Sequence, residues 1–103
     1  MTDRLYNAIG LCQKAGKAQS GAFAAEKTIR SGKAKLVLLE ETASEATKTH
    51  YEQLCAAHGV PMALTKNVGR AIGKDGRIVM AVTDQGFSDM IRRAMDNTDE
   101  KRG

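Results

Sequence analysis

Four consecutive aliphatic residues, Leu36-Val37-Leu38-Leu39, constrain the fold of this chain more than any other feature. Successive side chains of a strand point to opposite faces, so an unbroken apolar run needs cover on both sides. The segment Ile78 to Val82 makes the same demand. Around these runs, apolar residues recur at helical spacing. Helices must therefore pack on both faces of a small central sheet, an α/β arrangement. Strand order and the sense of each pair do not follow from the pattern.

A first helix carries Leu5, Ala8, Ile9, Cys12 and Ala15 on one stripe and stops near Lys14 and Gly16. Ala18 to Ser20 leaves room for a very short strand. A second helix is expected from about Ala22 to Ser31, ended by Gly32. Thr42-Ala43-Ser44-Glu45 fits a capping box. It opens a third helix with Thr47, Tyr51, Leu54 and His58 on one face and a stop at Gly59. After Pro61 comes a short strand, Met62 to Leu64. Asn67 is placed to cap a short helix over Val68 to Ile72, and Lys74-Asp75-Gly76-Arg77 reads as a turn. Thr83 or Asp84 caps a last helix with Phe87, Met90, Ile91, Ala94 and Met95 inward. No repeat or linker interrupts the chain, so 1–95 reads as one domain and 96–103 as a flexible polar tail.

A chain of 103 residues suits one core, and 42% apolar content is too high for disorder. Sixteen Lys and Arg against twelve Asp and Glu give +4, unevenly spread. From Arg4 to Lys35 stand seven cations and one acid, Glu26. The acids gather at Glu40, Glu41 and Glu45 and around Asp96, Asp99 and Glu100. A polarised basic chain points to a nucleic-acid partner. No stretch could span a bilayer, and Met1-Thr2-Asp3-Arg4 lacks the layout of a signal peptide. Cys12 and Cys55 read as buried thiols in a reducing cytoplasm. Without Trp and with 4% aromatic residues, a broad base-stacking platform is not expected.

Two glycine-containing basic segments stand out. Ser20-Gly21 opens the second helix, with Lys27 and Arg30 along it and Lys33 and Lys35 beyond. A helix N-terminus offers backbone N–H groups and partial positive charge, and Lys27 is expected close to them. The second segment runs from Thr65 to Lys74. It fails as a Walker loop because only Arg70, Ala71 and Ile72 separate Gly69 from Gly73, and Asp75 follows Lys74. His50 and His58 have no partner at metal spacing and read as surface residues. Ser20 has no identifiable base, so no nucleophile is assigned. Met80, Met90 and Met95 read as core filling.

The motifs Ser20-Gly21, Lys27, Ile29 to Leu39, Val68-Gly69-Arg70-Ala71-Ile72-Gly73 and Ala81-Val82-Thr83-Asp84, in that order, resemble one known group. It is the kink-turn-binding ribosomal-protein family (L-seven-Ae, L-thirty-e and Gadd types), particularly its small bacterial YlxQ-like members. The resemblance covers Leu5 to about Ala94. It implies a three-layer α/β/α sandwich with a small mixed central sheet and an RNA-binding edge, without catalysis. In that family the loop entering the second helix carries Gly, then Asn and Glu that read sheared G·A pairs, then Lys. Gly21 and Lys27 match, whereas Phe23 and Ala24 replace the polar pair. Phe23 is expected to stack on a splayed base or, by preference, to pack into the core. The segment Leu64 to Gly69 resembles the family's second RNA-contacting loop.

The expected protein is a cytoplasmic, monomeric, ribosome-associated, non-enzymatic binder of structured RNA, a kink-turn-like or related internal loop with ribosomal RNA among the candidates, and it has no cofactor and no membrane partner. The expected RNA-binding residues are Gly21, Lys27, Arg30, Lys33, Lys66, Asn67, Val68 and Gly69, with no catalytic or metal residues. An acid at Gly69 is expected to leave the fold intact and repel RNA. The alternative is a protein-interaction adaptor on the same fold.

Overall fold

The run Leu36–Leu39 lies at the heart of the structure, a computed structural model that describes residues 3–102, with side chains from Arg4 to Asp96. Met1, Thr2 and Gly103 lie outside the described residues. Along the chain the elements are α1 (Asp3–Lys14), β1 (Ala18–Ser20), α2 (Ala22–Arg30), β2 (Leu36–Glu40), α3 (Glu45–Ala57), β3 (Met62–Thr65), α4 (Val68–Ala71), β4 (Val79–Val82) and α5 (Gln85–Arg102). Strand order in the sheet is β1-β4-β2-β3. β4 runs antiparallel to both β1 and β2, while β2 and β3 are parallel. The sheet is therefore mixed.

Alternation along the two central strands divides the core. Leu36, Leu38, Met80 and Val82 face Ala8, Ile9 and Cys12 of α1, Val68 of α4 and Ile91 of α5. Their neighbours Val37, Leu39, Val79 and Ala81 face Ala25 and Ile29 of α2 with Tyr51 and Cys55 of α3. Each fully buried aliphatic side chain contributes roughly 1.5–3 kcal/mol. Neither helical layer can leave without exposing several of them, and the result is the α/β/α sandwich.

Local details differ from the sequence reading. Ser44, not Thr42, caps α3: its Oγ accepts the Thr47 N–H at 3.1 Å. β2 first closes into a turn at Glu41-Thr42, which delays the helix by two residues. The buried stripe of α3 is Tyr51 and Cys55, and His58 is exposed. On α5, Asp84 Oδ2 caps the Phe87 N–H at 2.9 Å. Ser88, Ile91 and Ala94 point inward there and Met90 points out. Ile78 precedes β4 and is exposed. The backbone of α5 stays helical through Arg102, across most of the stretch expected as a polar tail.

Candidate nucleic-acid interface

Loops from three connections meet at the end of the sheet marked by Ser20, Glu40 and Val79. Gly21 leaves β1 with φ 92°, a conformation open to glycine and strained for other residues. Its N–H donates to the Val79 carbonyl at 2.9 Å. Arg77 lies across it, with Nη1 donating to the Ser20 carbonyl at 2.8 Å and to Ser20 Oγ at 3.0 Å. The backbone of the Lys74–Arg77 turn packs in its turn against Gly69. A Cβ on Gly69 would lie 2.6 Å from the Lys74 carbonyl oxygen and 2.8 Å from that of Arg77. Beyond, Glu40 accepts the N–H of Asn67 at 3.1 Å and of Val68 at 2.9 Å. A line of contact thus runs from Gly21 through Arg77 and Gly69 to Asn67.

α2 rises from this edge. No side chain caps its N-terminus among the described residues. The N–H groups of its first turn keep the positive character of an open helix end. Phe23, Lys27 and Arg30 follow at i, i+4 and i+7 on one side of the helix. With Glu26 and Ser31 they line a shallow depression. Phe23 is 84% exposed, which corrects the core position preferred for it; Ala25 and Ile29 hold the buried side instead. Lys27 and Arg30 belong to the last turn. At 1.5 Å per residue, Lys27 stands about 9 Å along the axis from Gly21, not beside the open N–H groups.

Glu26 organises the outer surface between α2 and α3. Its Oε2 accepts from Tyr51 Oη at 3.1 Å and lies 3.1 Å from His50 Nε2. Its Oε1 is 3.3 Å from Arg30 Nη1. Burial pushes the Glu26 carboxyl up, but hydrogen bonds from His50 and Tyr51 and the charges of His50 and Arg30 outweigh it and hold the group below its ordinary value. Burial, reinforced by Glu26, pushes the Tyr51 hydroxyl up. Arg30 is therefore partly committed to a carboxylate, whereas Lys27 is exposed and has no ion pair among the described residues.

Among the sequence candidates, Gly21 and Asn67 lie on the contact line, and the exposed Lys66 immediately precedes Asn67. Val68 is fully buried in the core and Gly69 is buried against the turn. Neither presents a side chain at the surface, so a contact from either would have to come through its backbone. The acid expected to be tolerated at Gly69 would meet backbone oxygens. Asn67 adopts left-handed backbone, φ 58°, and makes no side-chain cap; Glu40 supplies the cap from another strand. Lys33 sits at the opposite end of the sheet. It follows α2 near Lys35, whose N–H donates to the Val82 carbonyl at 2.6 Å, and β2 then spans about 13 Å before Glu40.

Arg77 and Glu40 are the residues that sequence reasoning missed. Arg77 read as part of a turn, and Glu40 as one of several clustered acids. No local spacing signals a carboxylate that caps a loop across strands. The thiols serve packing. Cys12 Sγ donates to the Lys17 carbonyl at 3.4 Å, and burial with the Asp84 charge pushes its pKa up to about 11. Burial raises Cys55 as well. Among the described residues no three His, Cys, Asp or Glu side chains are grouped to hold a metal, and no helix is long and apolar enough to cross a membrane.

Comparison with known proteins places these features in context. Residues 3–92 match the model of the ribosomal protein L7Ae/L30e/S12e/Gadd45 family. The chain is 41% identical over 91 residues to the RNA-binding protein YlxQ of Bacillus subtilis (strain 168), spanning 85% of this chain and 91% of that protein. It is 36% identical over 94 residues to the large ribosomal subunit protein eL30 of Spodoptera frugiperda, spanning 86% and 83%. A solved structure of a Bacillus halodurans C protein with unknown function superposes at a TM-score of 0.84 and 30% identity, over 90% of this chain and 97% of that one. The Giardia lamblia 15.5kD RNA binding protein shares the fold, at a TM-score of 0.73 and 21% identity, over 94% and 86%.

Proposed function

This chain belongs to the ribosomal protein L7Ae/L30e/S12e/Gadd45 family, and on that premise we propose that it is a non-enzymatic binder of structured RNA. The observation that carries the proposal is the uncapped start of α2 at Gly21, flanked by Arg77. Backbone donors at an open helix end suit a phosphate, and Arg77 adds a cation beside them. Lys27 extends the positive field along α2, and Lys66 and Asn67 border the other end of the contact line. Lys33, at the far end of the sheet, adds only a distant charge. We place the protein in the cytoplasm as a monomer associated with structured RNA, ribosomal RNA among the candidates; the names of its relatives, RNA-binding protein YlxQ and large ribosomal subunit protein eL30, support the RNA partner.

Phe23 and Ala24 carry no side-chain hydrogen-bonding group, so neither reads a base edge. Discrimination for a standard kink-turn is accordingly weak, by on the order of 1–3 kcal/mol for each missing contact on the analogy of bidentate base contacts. Salt titration of RNA binding tests the site. Affinity should fall with a log–log slope of roughly −0.7 to −0.9 per neutralised phosphate, and Lys27→Ala should flatten that slope by about one contact. Binding that ignores salt contradicts the proposal. A protein-interaction adaptor is the second reading. It draws on a shallow groove between α1 and α5 where exposed Leu11 and Met90 lie beside Arg4 and Arg93.

A further inference from the structure

We infer that Phe23 is a base-stacking residue: an unpaired RNA base lies on its ring while Lys27, one helical turn on, neutralises the adjoining phosphate. The inference rests on the RNA-binding reading and names the feature that this site selects. A single exposed apolar side chain is ordinary on a protein surface. The setting of Phe23 is what gives it meaning. At 84% it is the most exposed of the large apolar side chains described, on a helix whose other stripe is completely buried through Ala25 and Ile29. The ring is therefore not needed by the core.

The surroundings fit a nucleotide. Phe23 shares its depression with Lys27 and Arg30, and it stands in the first turn, beside the uncapped N–H groups. A ring with cations one and two turns away matches the alternation of base and phosphate along an RNA strand. The one acid in the depression, Glu26, is occupied by Tyr51, His50 and Arg30, so its charge is largely compensated. Phe23 and Ala24 offer no hydrogen bond, so the site should accept any unpaired base and give little to a paired one. A splayed base can reach the ring; a base held in a continuous duplex cannot.

Two hairpin RNAs test this, one with a three-nucleotide bulge carrying 2-aminopurine at its central position and one fully paired. The wild-type protein should prefer the bulged hairpin by roughly five- to 150-fold, the range expected for one stacked base, and should quench the 2-aminopurine. Phe23→Leu keeps an apolar side chain at an exposed position, so its melting should match the wild type. It should lose both the preference and the quenching while retaining the salt dependence. Phe23→Trp should restore both. The preference should persist when the bulged base is A, G, C or U. Wild-type preference and quenching that survive in Phe23→Leu overturn the stacking role, and Lys27→Ala then reports separately on the RNA site through the salt slope. A preference confined to one base overturns the inference in favour of edge reading. Failure of the wild type to bind either hairpin overturns the inference and the RNA-binding reading together.

Discussion

The β1–α2 and β3–α4 loops are built from similar residues, a glycine near a helix start with cations close by, yet their backbones are used in opposite ways. At Gly21 the helix start is open, with no side-chain cap among the described residues, and the exposed Arg77 lies across it. At Asn67-Val68 the N–H groups are already taken by the Glu40 carboxylate, and Val68 and Gly69 are buried. The first loop can offer donors to a ligand. The second has satisfied the Asn67 and Val68 donors internally and offers exposed side chains instead, Lys66 and Asn67 first among them. A basic glycine segment is thus not by itself an anion site; what matters is whether the fold has already supplied the anion.

The largest expected effect contrasts the two glycines. Gly69→Ala would place Cβ within 2.6–2.8 Å of two backbone oxygens, which cannot move without displacing the Lys74–Arg77 turn. Overpacking against backbone should cost about 3 kcal/mol or more. In Gly21→Ala the new Cβ meets Arg77 Nη1 at 2.7 Å, the end of a flexible side chain that can swing away. The cost there comes from the backbone, φ 92° with ψ 153°, a region essentially confined to glycine, at about 1–3 kcal/mol. Urea melts of the two variants would measure the difference. Equal destabilisation would mean that the turn over Gly69 yields as readily as a side chain, and the contrast between a closed and an open loop would collapse.

Glu40→Ala should come next. It removes a charged acceptor from two backbone N–H groups, and hydrogen bonds to a charged group are worth about 1.5–3 kcal/mol. A loss of roughly 2–3 kcal/mol is expected, lowering the melting temperature by on the order of 10 °C or more for a domain of this size. The same variant uncovers the N–H groups of Asn67 and Val68. If Glu40 is what closes this loop to anions, RNA binding by the surviving folded protein should strengthen. Weaker binding at a temperature well below its melt would show that Glu40 orders Lys66 and Asn67 for contact.

Much of the fold was legible because strand alternation leaves a strong mark. Leu36–Leu39 could be buried on both faces only between two helical layers, and the resemblance supplied the mixed sheet. The site was harder to read. Lys27, Arg30 and Lys33 look adjacent along the chain, but α2 and the turn after it carry Lys33 to the far end of the sheet. Val68 and Gly69 belong to a motif that is recognisable because it packs, and packing resembles binding in a single sequence. Glu40 and Arg77 act across strands, 27 residues from Asn67 to Glu40 and 57 from Ser20 to Arg77, and no periodicity reports on such pairs. The chemistry of Phe23 suits either a stacked base or, by preference, the core; only the direction of the α2 stripe shows that it is exposed.

The smallest expected effect compares the two carboxylates. Glu40 uses both oxygens on backbone, so its loss alters an element of the fold, whereas Glu26 uses both on side chains, so its loss should only retune a surface. Glu26→Gln should cost no more than about 1 kcal/mol at neutral pH, the upper range for exposed ion pairs. The lowered pKa of Glu26 gives the variant a distinct signature. Stability from such a group is fully present above the ordinary carboxyl value, 4.5, and is lost as the pH falls through the lower folded value. The wild type should therefore lose stability more steeply than Glu26→Gln below about pH 4.5. At neutral pH the variant also frees Arg30 and removes a negative charge from the depression that holds Phe23 and Lys27. RNA affinity should then rise by about two- to fivefold, most visibly at low salt. Melting experiments from pH 3 to 7, run beside an RNA titration at two salt concentrations, would check both parts. If Glu26→Gln destabilises the protein more than Glu40→Ala, the division between a carboxylate that builds the fold and one that tunes its surface is wrong.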